Sequence, residues 1–228
     1  VDSSKLNGAN RSSRTMTFSS AEYQKGEVTE TTGMLLVSNW SDDFITEFSY
    51  STKEQLTSQQ SPVGQGLPSF TINDCGAQGI RCALGPDVFR SANQLATETT
   101  FTKLKGTYYM GNHKFTFGYE NKLWDIYNVF IEAQDGAYEF EGLANYQAQI
   151  ASSFEYSNSR DLTEQGGAAV FEYYLDSFYI QDEIDISEKL NVLVGVRYDQ
   201  FDSDDSPAVN QGFVDTFGFA NGGIAGTD

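Results

Sequence analysis

Residues Leu190 to Tyr198, reading LNVLVGVRY, constrain the fold more than any other stretch of the chain. Leu190, Val192, Val194, Val196 and Tyr198 fall on one face of an extended backbone and Asn191, Gly195, Arg197 and Asp199 on the other, with Leu193 as the one exception. A repeat of two belongs to a strand. The apolar-rich run before it reaches it through Ser187-Glu188-Lys189, so the two form a hairpin. The first arm, Ala168 to Asp185, is eighteen residues of strand-like sequence, where a globular strand has about five or six. Such length points to the wall of a barrel.

Two more hairpins precede it. Thr32 to Trp40 turns at Ser41-Asp42-Asp43 into Phe44 to Ser51, and Thr97 to Tyr109 turns at Met110-Gly111-Asn112-His113 into Lys114 to about Phe130. The first 27 or so residues read as a loop, with only Thr15 to Ser19 hinting at a strand. Gln55 to Leu95 holds three of the four prolines and no sustained period, so it reads as a large loop. Ile131 to Gly167 is a second long connection. Within it, Leu143, Tyr146 and Ile150 recur at near-helical spacing, which predicts a short helix over Glu141 to Ala151. Asp202 to Asp228 is unpatterned again.

Short turns at Ser41 to Asp43, Met110 to His113 and Ser187 to Lys189 thus alternate with long connections. Tight turns on one rim and long loops on the other are the plan of an outer-membrane barrel with its short side in the periplasm. Loops beyond about 12 to 15 residues are uncommon inside a compact soluble domain. The fold class expected is therefore all-β, with antiparallel hairpins forming part of a transmembrane β-barrel: about six strands, long extracellular loops and one short loop helix. A secreted soluble β-sandwich is the alternative.

Charge and composition narrow the partners. With 32 acidic against 14 basic residues the net charge is -18, so nucleic acid and anionic surfaces are not expected partners. No apolar run approaches the roughly 20 residues of a membrane helix, but barrel strands need only about 9 to 11 alternating residues. A mean hydropathy of -0.42 is compatible with them. The 17 Phe and 13 Tyr, at 14% aromatic residues with Trp, make this a strand-forming composition.

No catalytic constellation is present, and no enzyme, cofactor or metal is expected. The sole histidine, His113, falls in a turn, and no GxSxG, P-loop or GxGxxG motif occurs. Asp199, Asp202, Asp204 and Asp205 form an acidic cluster that is either a solvated loop or a calcium site, though the Gly and closing Glu of an EF-hand are missing. Cys75 and Cys82 have six residues between them, and Gly76 and Gly79 give the flexibility to bring the two Cα atoms to about 5.5 to 6 Å. A disulfide closing a small ring is expected, stiffening its loop; a free buried pair or, lacking nearby ligands, a metal site are the alternatives.

Ser177-Phe-Tyr-Ile-Gln-Asp-Glu183, Ser187 to Leu190 and Gly195-Val-Arg-Tyr-Asp199 together resemble the hairpin "YxQDxW … LxLxxGxRYD" of TonB-dependent outer-membrane receptors. Phe89-Arg-Ser-Ala-Asn-Gln94, Gly111 to Glu120, Tyr127 to Phe130 and Gly136 to Phe140 are similar to the Oar-like branch, in which a carboxypeptidase-regulatory-like domain precedes plug and barrel. The resemblance spans about half the chain. Glu183 and Ile184 stand where the family often has Trp, and no plug or TonB-box-like segment is recognisable.

The resemblance implies a bacterial outer-membrane location and import of a ligand whose identity it does not give. It further implies outer-membrane lipid, a plug domain, remaining barrel strands and, through an N-terminal part, the TonB complex as partners. Six strands cannot close a barrel of about 22, so residues 1–228 are expected to be an internal, partial barrel domain without plug or closure. A passive porin or structural barrel is the rival. Phe115, Phe117, Phe178, Ile180, Val192, Val194 and Val196 are expected to face lipid, and Lys114, Thr116, Glu120, Gln181 and Arg197 the lumen, with Glu47, Lys103 and Lys105. Arg197 and Glu120 are candidates to pair with plug side chains.

Overall fold

The computed structural model describes the backbone of residues 2–7 and all of residues 14–61, 63–64, 66–76, 79–203, 205 and 209–218. Its strands are β1 (Asp2–Asn7), β2 (Thr15–Thr17), β3 (Tyr23–Asn39), β4 (Phe44–Gln60), β5 (Ser69–Asn73), β6 (Arg81–Leu84), β7 (Ala92–Met110), β8 (His113–Ile131), β9 (Ala137–Glu141), β10 (Ser153–Glu155), β11 (Ala169–Ser187) and β12 (Leu190–Asp202). The helices are α1 (Gly142–Gln147), α2 (Glu164–Gly167) and α3 (Gln211–Phe217). Seven strands form one sheet in the order β1-β3-β4-β7-β8-β11-β12, and five form a second in the order β10-β9-β5-β6-β2.

The three hairpins stand where the sequence puts them, with longer arms. β4, for example, runs nine residues beyond Ser51 to Gln60. Its far end, Lys53 to Gln60, is polar on both faces apart from Leu56, so alternation gives no signal there although the backbone pairs. A strand of 19 residues extends about 60 Å, well beyond the bilayer's hydrocarbon thickness. The turns are locally determined: Trp40 N–H donates to the Phe44 carbonyl at 2.9 Å, and Gly111 takes φ +62° between β7 and β8, a conformation open to glycine. They also share one end of the sheet. Tyr109 N–H donates to the Asp43 carbonyl at 2.8 Å and Asp185 N–H to that of Asn112 at 2.9 Å.

Four expectations change. The large sheet has seven strands where six were expected, because β1 pairs with the Tyr23–Val28 end of β3 inside the segment expected to be a loop. The supposed loop from Gln55 to Leu95 contains β5 and β6, and the connection from Ile131 to Gly167 contains β9 and β10. These strands have three to five residues, and β5 pairs in parallel with β9, 68 positions away. Neither length nor local hairpin pattern exposes them. The predicted helix shortens to α1 because Gln149 adopts φ +59° and ends it. Finally, α3 lies in the unpatterned tail, marked by the Asn210 cap on Phe213 N–H and by Gly218 at φ +77°.

His113 is likewise a strand residue, the first of β8, and not part of the turn. Two compact units are distinguished: residues 1–32, 52–98 and 126–170 form the first, and residues 33–51, 99–125 and 171–228 the second.

The first unit has an ordinary apolar core. Ile72, Cys75, Cys82 and Phe140 are buried together, with Phe70, Ile80, Leu84, Tyr138 and Tyr146 packed against them. Cys75 and Cys82 form the expected disulfide, with a Cα separation of 5.8 Å. It lies in this core, joining the end of β5 to β6, and not in an irregular loop tip. A second cluster holds Ala92, Val129 and Ile131. There the Phe89 to Gln94 motif acquires a structural role: Ser91 Oγ lies 3.0 Å from the Ile131 carbonyl and accepts from Gln134 N–H. Arg90 stacks over the Tyr23 ring at 4.3 Å.

Candidate functional site

The second unit is organised in the opposite way. Among the described residues, every fully buried hydrophobic side chain belongs to the first unit, whereas Thr107, Thr116 and Ser177 are the buried side chains of the second. Its large apolar side chains are outside: Trp40 is 70% exposed, Phe178 53%, Ile180 52%, Val194 61% and Val196 67%. Water would penalise such a surface at roughly 25 cal/mol per Å².

Cross-strand register separates two faces. In the β11 to β12 ladder, Phe178 pairs with Tyr198, Ile180 with Val196 and Ile184 with Val192, while the alternate pairs are Tyr179 with Arg197, Gln181 with Gly195 and Asp185 with Asn191. Side chains of alternate residues point to opposite sides of a sheet.

One face is charged and paired. Lys105 Nζ donates to Glu47 at 2.8 Å, Lys114 Nζ to Glu183 at 3.0 Å, and Arg197 to Glu120 at 3.1 Å and Asp199 at 2.8 Å. The Arg197 guanidinium also lies 5.8 Å from the Tyr179 ring centre. The two lysine pairs join neighbouring strands, as cross-strand stabilisation requires, the Arg197 to Asp199 pair lies along β12, and the Arg197 to Glu120 pair reaches over β11 to β8. Arg197 and Glu120, read from sequence as candidates for pairing outside this chain, pair with each other. Thr116 is buried, and Gln181 fills the space that Gly195 leaves, since a Cβ on Gly195 would stand 2.8 Å from that of Gln181. Glu183 and Asp199 were not singled out as partners. Asp199 stands two positions from Arg197 on the same face of β12, a spacing that alternation exposes, whereas the Glu183 contact with Lys114 spans 69 positions and becomes visible only with the register.

The other face is apolar and rich in aromatics. Phe44 meets Tyr108 edge to face at 6.5 Å, and Tyr119 meets Phe178 at 4.9 Å. Phe117 and the residues named above are exposed here, while Phe115 and Val192 are half-buried. Two polar groups interrupt it. His113 Nδ1 and Asp182 are 2.7 Å apart. Asp176 accepts from Tyr119 and, at 2.8 Å, from Asn121. The period of two did not reveal these, because Asp176 and Asp182 are isolated acids whose donors lie on β8.

In the acidic cluster at the end of β12, Asp202 accepts from Ser203 N–H at 2.8 Å and Asp205 from the N–H of Glu172 on β11 at 2.6 Å. Asp204 lies outside the described residues. No helix of the described residues is long and apolar enough to cross a membrane, which says nothing of strands.

A family model described as an outer membrane beta barrel domain matches residues 6–225. No curated protein matches the chain. Among solved structures, the outer membrane transporter YddB from Escherichia coli is similar in fold, with a TM-score of 0.58 at 14% identity. The match covers 90% of this chain and 25% of the transporter, so the chain spans about a quarter of that protein's length.

Proposed function

This chain belongs to the outer membrane beta barrel domain family, and from that premise we propose that it forms part of the barrel wall of a TonB-dependent receptor of the Oar-like branch, whose whole protein imports a ligand. The family membership sets aside the soluble sandwich and locates the chain in the bacterial outer membrane. One observation carries the wall reading: in the second unit small polar side chains are buried and large apolar ones exposed. That inversion fits a sheet with lipid on one side.

In this reading Phe117, Phe178, Ile180, Val194 and Val196 contact lipid. Lys114, Thr116, Glu120, Gln181 and Arg197 line the lumen, where plug and ligand pass. The ion pairs suit that role, because Lys105, Lys114 and Arg197 are each held by carboxylates of the wall and are not left to trap a passing anion. β12 has β11 as its neighbour in the sheet order, and lipid tolerates no unpaired strand edge. Further strands complete the wall, and residues 1–228 are one part of it. The motifs from Phe89 to Asp199 support the TonB-dependent branch over a passive pore.

The distinguishing experiment is binding of the intact protein to the isolated periplasmic domain of TonB. Saturable binding is expected; its absence, with ligand accumulation that persists after the proton gradient is dissipated, would assign a passive barrel.

A further inference from the structure

Asp176 is an acid on the apolar face that the transport reading leaves without a role. Both of its donors use one oxygen: Tyr119 hydroxyl and Asn121 amide reach Oδ1. Oδ2 accepts no bond from the described residues, and the ion pairs among them do not include Asp176. The carboxylate is therefore oriented by two neutral donors and its charge is unmatched within the unit. Beside it opens a groove of about 520 Å³, lined by Phe117, Tyr119, Phe178, Ile180, Val196 and Tyr198 among others. Tyr119 lines the groove and its hydroxyl donates to Asp176, so the acid lies one side chain beyond the groove's end.

We propose that this groove and Asp176 form a binding site for one membrane lipid carrying a primary ammonium headgroup, with an acyl chain in the groove and the ammonium on Asp176 Oδ2. The proposal rests on the apolar face being lipid-facing. The chemistry selects the headgroup: a half-buried carboxylate with one free oxygen needs a cationic hydrogen-bond donor, and a quaternary ammonium has no N–H to give. An anionic headgroup is repelled. The groove selects an amphiphile over a soluble amine, because its lining gives a hydrocarbon chain contacts that water cannot.

The test is native mass spectrometry of the intact protein released from detergent holding equal amounts of phosphatidylethanolamine and phosphatidylcholine with identical chains. The ethanolamine adduct is expected to exceed the choline adduct about fivefold, the factor that a partly exposed ion pair supplies. In Asp176→Asn the ratio should fall to near one, and Asp176→Glu should retain most of it. Equal adducts in the wild type, selectivity surviving Asp176→Asn, or a lipid-free dimer that seats a second copy on this face would each overturn the site. Flotation of the same proteins with vesicles separates the two ideas. A protein that floats without headgroup selection loses the site alone, and one that does not float loses the lipid-facing reading as well.

Discussion

Arg197 and Glu120, 77 positions apart, are expected to show a coupling of about 0.5 to 1 kcal/mol in a double-mutant cycle of Arg197→Met with Glu120→Gln, read from denaturant midpoints and shrinking with salt. The Arg197 side chain is 41% exposed, so screening limits the gain. Gly118 is constrained sterically: a Cβ there would lie 2.6 Å from the Tyr179 ring and 2.8 Å from the Leu104 carbonyl. Gly118→Val is expected to destabilise the sheet by about 1 to 3 kcal/mol, as overpacking does, with Gly118→Ala milder on the same scale. In the connection before α2, bonds from Ser159 and Thr163 hold the Asp161 carboxyl below the usual aspartate range. A depressed folded pKa stabilises the turn above the unfolded value of about 3.9 and ceases to do so as pH falls through the folded one. Wild type and Asp161→Asn should differ in amide protection of residues 159–163 at about pH 6 and converge only as pH falls through the depressed folded value.

The Cys75 to Cys82 bridge and the β5 to β9 pairing belong to one element, the small sheet. Closing so short a ring removes about 2.5 kcal/mol of chain entropy from the unfolded state in the loop-closure estimate. Replacing both cysteines by alanine is expected to raise exchange in β5 and β6 while leaving β11 and β12 protected, because the buried sulfurs touch only the first unit's core. Unchanged exchange in β5 would show that the aromatic packing suffices. On β12, neighbours test the faces: Val194→Lys puts a charge on the apolar side and should impair folding into vesicles by about 2 to 4 kcal/mol near the midplane, whereas Leu193→Lys, on the paired side, should be tolerated. Equal penalties would refute the assignment of faces.

For the molecule as a whole, the alternation of turn lengths fixes sidedness. An epitope inserted between Asn158 and Leu162 is expected to bind antibody on intact cells, and one inserted at Glu188 only after the outer membrane is permeabilised. The reverse pattern would invert the barrel. The strand lengths add that the sheet outlasts the bilayer: the β11 to β12 ladder alone runs from Tyr174 to Ser187, about 45 Å of strand, against an apolar band of about 25 Å.

The sequence by itself determined the three hairpins, their turns, the division of β8, β11 and β12 into two faces, and the disulfide. Each depends on alternation, a turn residue or a short loop, all local in the chain. It did not determine the small sheet, whose three- to five-residue strands are joined by parallel pairings across more than 60 positions, nor α3, which has caps but little periodicity. Nor could it pair Arg197 with Glu120 or place Tyr119 and Asn121 on Asp176. Alternation states which side of a strand a residue occupies, but the partner it meets depends on the register between strands, and register is set only when the backbone ladders of distant segments close.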